Sequence, residues 1–157
     1  MKRSGFKQKL TVPLKRTPFK RPTKPKVKSK KPKGTSYWKK QLDAVFSRYI
    51  RYRDKGKCFT CPHTNDPKKM QCGHFNPRQY LSTRYDEKNC NCQCYACNML
   101  YGGQPATYAI RLKEKYGEGI VEELEKGRWI PVLLDEAWYK EQIEIYQNKL
   151  NELQKCL

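Results

Sequence analysis

The sequence predicts a small α+β fold, a cysteine-rich core flanked by α-helices and preceded by a disordered basic arm. Three observations predict it. Seven of the eight cysteines and both histidines fall between residues 57 and 103. Apolar residues at helical spacing bracket that segment on both sides. The first 34 residues hold fourteen Lys/Arg, five Pro and no acidic residue.

At 157 residues and 37% hydrophobic content, the chain fits one domain plus appendages, with a core small enough to need a metal or disulfide staple. The boundaries follow the composition: 1–34 a basic arm, 35–104 a helix plus the cysteine-rich core, 105–157 a helical C-terminal region. The arm, as in PLKRTPFKRPTKPKVKSKKPK from Pro13 to Lys33, repels itself and has little apolar surface to bury, so it is expected to be disordered. It supplies fourteen of the nineteen net positive charges. That excess exceeds what solubility requires and is the footprint of a polyanion binder, with DNA or RNA the leading partner class over a merely solubilising tail. No apolar run approaches the ~18 residues that span a bilayer, so no membrane is expected. No apolar segment follows the basic start, and a cytoplasmic location is expected. There, cysteines serve as metal ligands or free thiols rather than disulfides.

Each element can be read in order. In SYWKKQLDAVFSRYIRYRDKG, residues Trp38, Leu42, Val45, Phe46, Tyr49 and Ile50 recur at helical spacing, with Ser36 the expected N-cap and Gly56 the stop. The opposite face carries Lys39, Lys40, Arg48, Arg51 and Arg53, either a solvated face or one that contacts phosphates. After Gly103, PATYAIRLKEKYG reads as a helix opened by Pro105 and closed by Gly117, followed by a short helix around EGIVEELEKG. Asp135 is positioned to cap a last helix to about Gln154. Its Tyr139, Ile143, Tyr146, Leu150 and Leu153 form a seam that serves either the protein's own core or a homodimer.

The core is read through its cysteines. Cys58-x2-Cys61 and Cys94-x2-Cys97 are two chelating pairs separated by 32 residues, and two such knuckles complete a tetrahedral structural zinc site. The gap exceeds that of a compact zinc finger, so something of its own is built between them. If Asn89 to Cys94 is a strand, Cys90 and Cys92 share a face, while Asn89, Asn91 and Gln93 share the other. Cys90 and Cys92 then pack as thiols beside the zinc. Cys72 is the same or an alternative ligand, His63 a surface residue, and Cys156 a free surface thiol.

His74 follows Gly73 inside this loop, with Asn89 downstream and Asn98 directly after a knuckle cysteine. The constellation resembles the HNH, or His-Me finger, nucleases over roughly Ser36 to Gly103. More closely, SYWKKQ, the first knuckle, GHF, TRYDEKN and QCYACN are similar to the NinG/Rap family of phage recombination endonucleases. The resemblance implies a zinc-braced ββα-metal finger and a metal-dependent endonuclease acting on branched DNA such as Holliday junctions. It implies His74 as general base, Asn98 as ligand of a catalytic Mg²⁺ or Mn²⁺, and Asn89 as the residue orienting the histidine's loop. Many HNH enzymes carry a metal-binding Asp or His where this chain has Gly73, so the ion needs another ligand, Asp86 or Glu87 if the fold brings one near. Arg78 and Arg84 are candidates to hold phosphate, because guanidinium matches phosphate geometry. Two other functions stay open: a non-catalytic zinc-dependent nucleic-acid-binding module, and an HNH nuclease nicking ordinary duplex.

Overall fold

The computed structural model describes residues 34–155. The basic arm, apart from Gly34, and Cys156 lie outside them. Helix α1 spans Thr35–Arg53. Its start differs from the expectation at Ser36: Gly34 occupies the N-cap position in extended backbone, without a side-chain cap. Its end is set by Asp54, then by Lys55 and Gly56 at φ +51° and +66°. A Cβ on Gly56 would lie 1.9 Å from the Asn65 carbonyl oxygen, so glycine is required there for conformation and for space.

A two-stranded antiparallel sheet follows. β1 is Gln71–His74 and β2 is Cys90–Gln93, in the register Gln71↔Gln93, Cys72↔Cys92, Gly73↔Asn91 and His74↔Cys90. Between the strands a loop carries the one-turn helix α2, Leu81–Arg84. A single wide π-helical turn, Ala96–Leu100, follows β2. Three helices complete the described chain: α3 Pro105–Tyr116, α4 Ile120–Gly127 and α5 Glu136–Lys155. They match the periodic segments closely. Asp135 caps the last helix through Trp138 N–H, 2.8 Å from its Oδ1.

Packing places a helix on each side of the sheet. The apolar stripe of α1 buries Leu42, Phe46, Tyr49 and Ile50 together with Tyr85, Cys90 and, from α5, Tyr139 and Tyr146. Phe46 meets Tyr146 edge to face at 4.8 Å between centroids, a geometry aromatic quadrupoles favour. Thus the seam of α5, including buried Leu150, serves the intramolecular core. On the other side α3 and α4 enclose Tyr108, Leu112, Ile120 and Leu124. The Tyr108 hydroxyl reaches back to the carbonyls of Gly73 at 3.3 Å and Asn89 at 3.2 Å. The knuckle cysteines form a third cluster with Met70 and Cys92. Among the described residues, no helix is long and apolar enough to cross a membrane.

Candidate metal centre and histidine cleft

The four knuckle cysteines converge from separate elements. Cys58 and Cys61 sit in a turn closed by the Lys57↔Thr64 bridge and by Cys58 N–H on the His63 carbonyl at 2.8 Å. Cys94 directly follows β2 and Cys97 lies in the π-turn. Phe59 N–H bonds the Cys92 carbonyl at 2.7 Å, stitching the first knuckle to β2. The four Sγ atoms lie within 4.8 Å of one another. Cys61 and Cys94 sulfurs are 3.8 Å apart, close to the edge of a tetrahedron with ~2.3 Å metal–sulfur bonds. Backbone N–H groups aim at the sulfurs: Cys94 N to Cys58 Sγ at 3.3 Å and Cys97 N to Cys94 Sγ at 3.5 Å. Burial pushes the Cys58 thiol up, but the Cys94 N–H and the Thr60 bonds to its sulfur prevail and bring it down to about 6, whereas burial raises the Cys61 and Cys97 thiols. Four soft, convergent ligands with thiolate-directed N–H groups fit a structural zinc ion.

His74, at the end of β1, is built into a different environment. It lines a cleft of about 550 Å³ bounded by α1, with Cys72, Asp43, Lys40, Arg48, Arg51 and Arg78. Its Nε2 lies 3.2 Å from the Arg84 carbonyl oxygen. A carbonyl only accepts, so Nε2 carries the proton and Nδ1 keeps the lone pair. Burial, then the nearby charge of Arg78, lowers the imidazole to about 4, so it is neutral at physiological pH.

The Arg84 carbonyl is itself held in place through Asn89. That side chain is fully buried, accepts from Asn76 N–H at 2.7 Å and donates to the carbonyls of Thr83 at 2.9 Å and Asn76 at 3.2 Å. Both ends of the loop after His74 are therefore pinned to one amide, next to the residue whose carbonyl sets the histidine tautomer. Asn89→Ala would strand the buried Asn76 N–H and Thr83 carbonyl, at a cost of about 2–4 kcal/mol. Denaturant unfolding should show that loss, and Asn89→Asp should recover only part of it, because a carboxylate cannot donate to Thr83.

Other expected residues fall elsewhere. Arg84 does not face a ligand: it is nearly buried in α2, with Nε and Nη2 on the Asp43 carboxylate at 2.9 and 2.7 Å and Nη1 on the Arg78 carbonyl. Its guanidinium is spent on positioning. Asp43 is held below the usual carboxylate range: burial opposes this, but Arg84 and Tyr85 bonding its oxygens prevail. A depressed carboxylate adds stability above its unfolded pKa and loses it as pH falls through the folded one. Arg51 is tied by Nε to the Ser47 carbonyl and by Nη1 to those of Lys68 and Met70. Arg78, Lys40 and Arg48 are exposed along the cleft. Lys39 lies off it, in a shallow groove with Ser36 and Tyr37.

Asn98 is not among the residues lining the His74 cleft. Its Nδ2 donates to Gln71 Oε1 at 2.5 Å, at the end of β1 opposite His74. Neither expected substitute ligand lies with it. Glu87 is engaged by Tyr49 at 2.7 Å and Lys149 at 2.7 Å, and Asp86 caps Lys88 N–H at 2.8 Å. Gly73 has its own reason. A Cβ there would lie 2.0 Å from Gln93 Oε1, in a fully buried side chain whose Nε2 bridges Thr60 at 3.0 Å and the Gly103 carbonyl at 2.9 Å. Gly73→Ala should displace Gln93 and cost about 1–3 kcal/mol in thermal unfolding, with Gln93→Ala in the same chain recovering part of it.

Cys90 and Cys92 part company. Cys92 joins the knuckles, as expected, whereas Cys90 packs in the α1 core beside Cys72 and His74. Cys72 is thus no ligand of the four-cysteine group. Asp43 was not singled out from the sequence. Its signal was its position as the one acidic residue among the lysines and arginines of α1.

The model of the family described as bacteriophage lambda NinG protein matches residues 5–156. The chain belongs to the NinG family. Among its relatives, protein ninG of Salmonella phage P22 is 30% identical over 127 residues, covering 77% of this chain and 60% of that one. The proteins ninG of Escherichia phages 933W and lambda are 31% and 30% identical over 103 residues, covering 62% of this chain and 51% and 50% of theirs. This NinG-family chain therefore spans about half to three-fifths of the length of these curated relatives. No solved structure matches it.

Proposed function

We propose that this NinG-family chain is an HNH-type endonuclease that hydrolyses phosphodiester bonds in branched DNA, Holliday junctions included. The observation that carries the reading is the neutral His74, its Nε2–H committed to a carbonyl and its other nitrogen basic, in a cleft walled by exposed cations. The order β1, β2, π-turn, with His74 on the first strand and Asn98 on the turn, supports the likeness to a ββα-metal finger.

In this mechanism a water attacks the phosphorus and gives its proton to His74 Nδ1 while the P–O bond to the leaving sugar oxygen breaks, that oxygen taking a proton from solvent in the open cleft. Arg78, Lys40 and Arg48 neutralise the phosphate, and counterion release contributes to binding. Asn89 and Arg84 act through the loop that orients the base. The residues present do not by themselves build a hard-cation site. The groups of three or more metal-ligating side chains among the described residues are the four knuckle cysteines and Cys72, His74 and Cys90, neither with a carboxylate. Asn98 adds one amide oxygen, whereas a Mg²⁺ site ordinarily has carboxylates as well. No step above is routed through such an ion, and Mg²⁺ or Mn²⁺ dependence is an arm of the test.

That shortage favours one second reading, a zinc-braced binding module without catalysis. Labelled four-way junction and matched linear duplex, incubated with the protein and Mg²⁺, Mn²⁺ or EDTA, separate the two. Junction cleavage is expected. Binding without cleavage in every condition would establish the module, and equal cutting of junction and duplex would remove the branch preference.

A further inference from the structure

The second convergence of soft ligands is not explained by the knuckles. Cys72 and His74 stand two apart on β1 and so share a face. Cys90 is the register partner of His74, which brings it to the same face from β2. The two sulfurs and one imidazole nitrogen lie within 4.8 Å of one another. Cys90 is fully buried, while Cys72 and His74 both line the open cleft. The Arg84 carbonyl receives both His74 Nε2 and the Cys90 thiol, at 3.2 and 3.5 Å. That shared carbonyl brings the imidazole edge and the Cys90 sulfur side by side.

From this juxtaposition we infer that Cys72, His74 and Cys90 form a second zinc site, three protein ligands with the fourth position open to the cleft. Thiolate and imidazole select a soft or borderline cation over Mg²⁺. Three protein ligands plus a solvent-facing position is a recurrent zinc arrangement. Two thiolates balance the ion's charge, so its entry adds no net charge to a cleft already crowded with arginine. The contraction required is small: ~2.3 Å zinc–sulfur bonds set sulfurs about 3.8 Å apart. With three protein ligands against four, this site gives up its metal before the knuckles do.

The site has a consequence that rests on the nuclease reading. Zinc on either ring nitrogen of a neutral imidazole leaves His74 no lone pair for a water's proton, so the doubly loaded protein is held inactive. The site itself is tested without reference to cleavage.

The experiment is zinc content per chain, measured on full-length protein dialysed against zinc buffer under reducing conditions. Wild type is expected to hold two zinc ions, and His74→Ala, Cys72→Ser and Cys90→Ala one each. His74 and Cys72 face the cleft, so those two variants keep the measurement informative if the buried Cys90→Ala fails to fold. A mild chelator should remove one ion from wild type while the circular dichroism spectrum and unfolding transition stay in place. One zinc in wild type, two retained in His74→Ala and Cys72→Ser, or a Cys72–Cys90 disulfide in its stead would overturn the site. In a parallel junction assay with Mg²⁺, removing the labile zinc should raise cleavage at least tenfold. One labile and one structural ion, with no cleavage in either state, would keep the site and remove the nuclease reading.

Discussion

His74→Ala is expected to abolish junction cleavage while leaving junction affinity within about twofold. A positioned general base is worth roughly 10²–10⁴ in rate, and this imidazole lines the cleft and is held neutral by its surroundings. Its removal leaves the arginines and lysines that would hold DNA untouched. Single-turnover cleavage and gel-shift binding, run on the same preparations, separate the two effects. The fold should tolerate the change because His74 stands at the end of β1 in a partly exposed position. Full-rate cleavage by the variant would remove His74 from the mechanism.

Cys94→Ser is expected to cost the protein both the zinc that the four knuckle cysteines fit and its cooperative fold. Apparent binding energies of structural zinc run to about 10–16 kcal/mol at neutral pH, and that energy is folding energy. Cys94 is buried, its sulfur receives Cys97 N–H, and its own N–H bonds Cys58 Sγ. One substitution therefore disturbs both knuckles. Beyond them, Phe59 N–H on Cys92 and Gln93 on Thr60 tie the first knuckle to β2, so the sheet carrying His74 should loosen with the metal. Circular dichroism against a urea series, alongside zinc content, checks this. A variant that keeps a cooperative transition at wild-type midpoint would show that the cysteine cluster is packing rather than a metal centre.

Much of the architecture was legible because it rests on local rules. The stripe of α1, Pro105 and Gly117 around α3, and Asp135 before α5 each act within a few residues. CxxC spacing is likewise a property of one turn, so the four cysteines that converge could be named from their intervals. Alternation along residues 90–93 correctly separated Cys90 and Cys92 from Asn91 and Gln93. It did not separate the two cysteines from each other, because α1 reaches one and the knuckle the other.

The sequence by itself determined the helices, the two knuckles, the strand alternation and a histidine worth testing, since these depend on spacing and residue chemistry. Only the tertiary structure decided what each charged or polar side chain is spent on. It turned Arg84 inward onto Asp43, 41 positions away, set Asn98 on Gln71 rather than in the histidine cleft, and filled the space above Gly73 with Gln93. It also gathered Cys72 and Cys90 around His74. The physical reason is common to all four. A buried polar group must find a partner or lose a kcal/mol or more, and the partner is whichever element the fold packs against it, which no interval along the chain reveals.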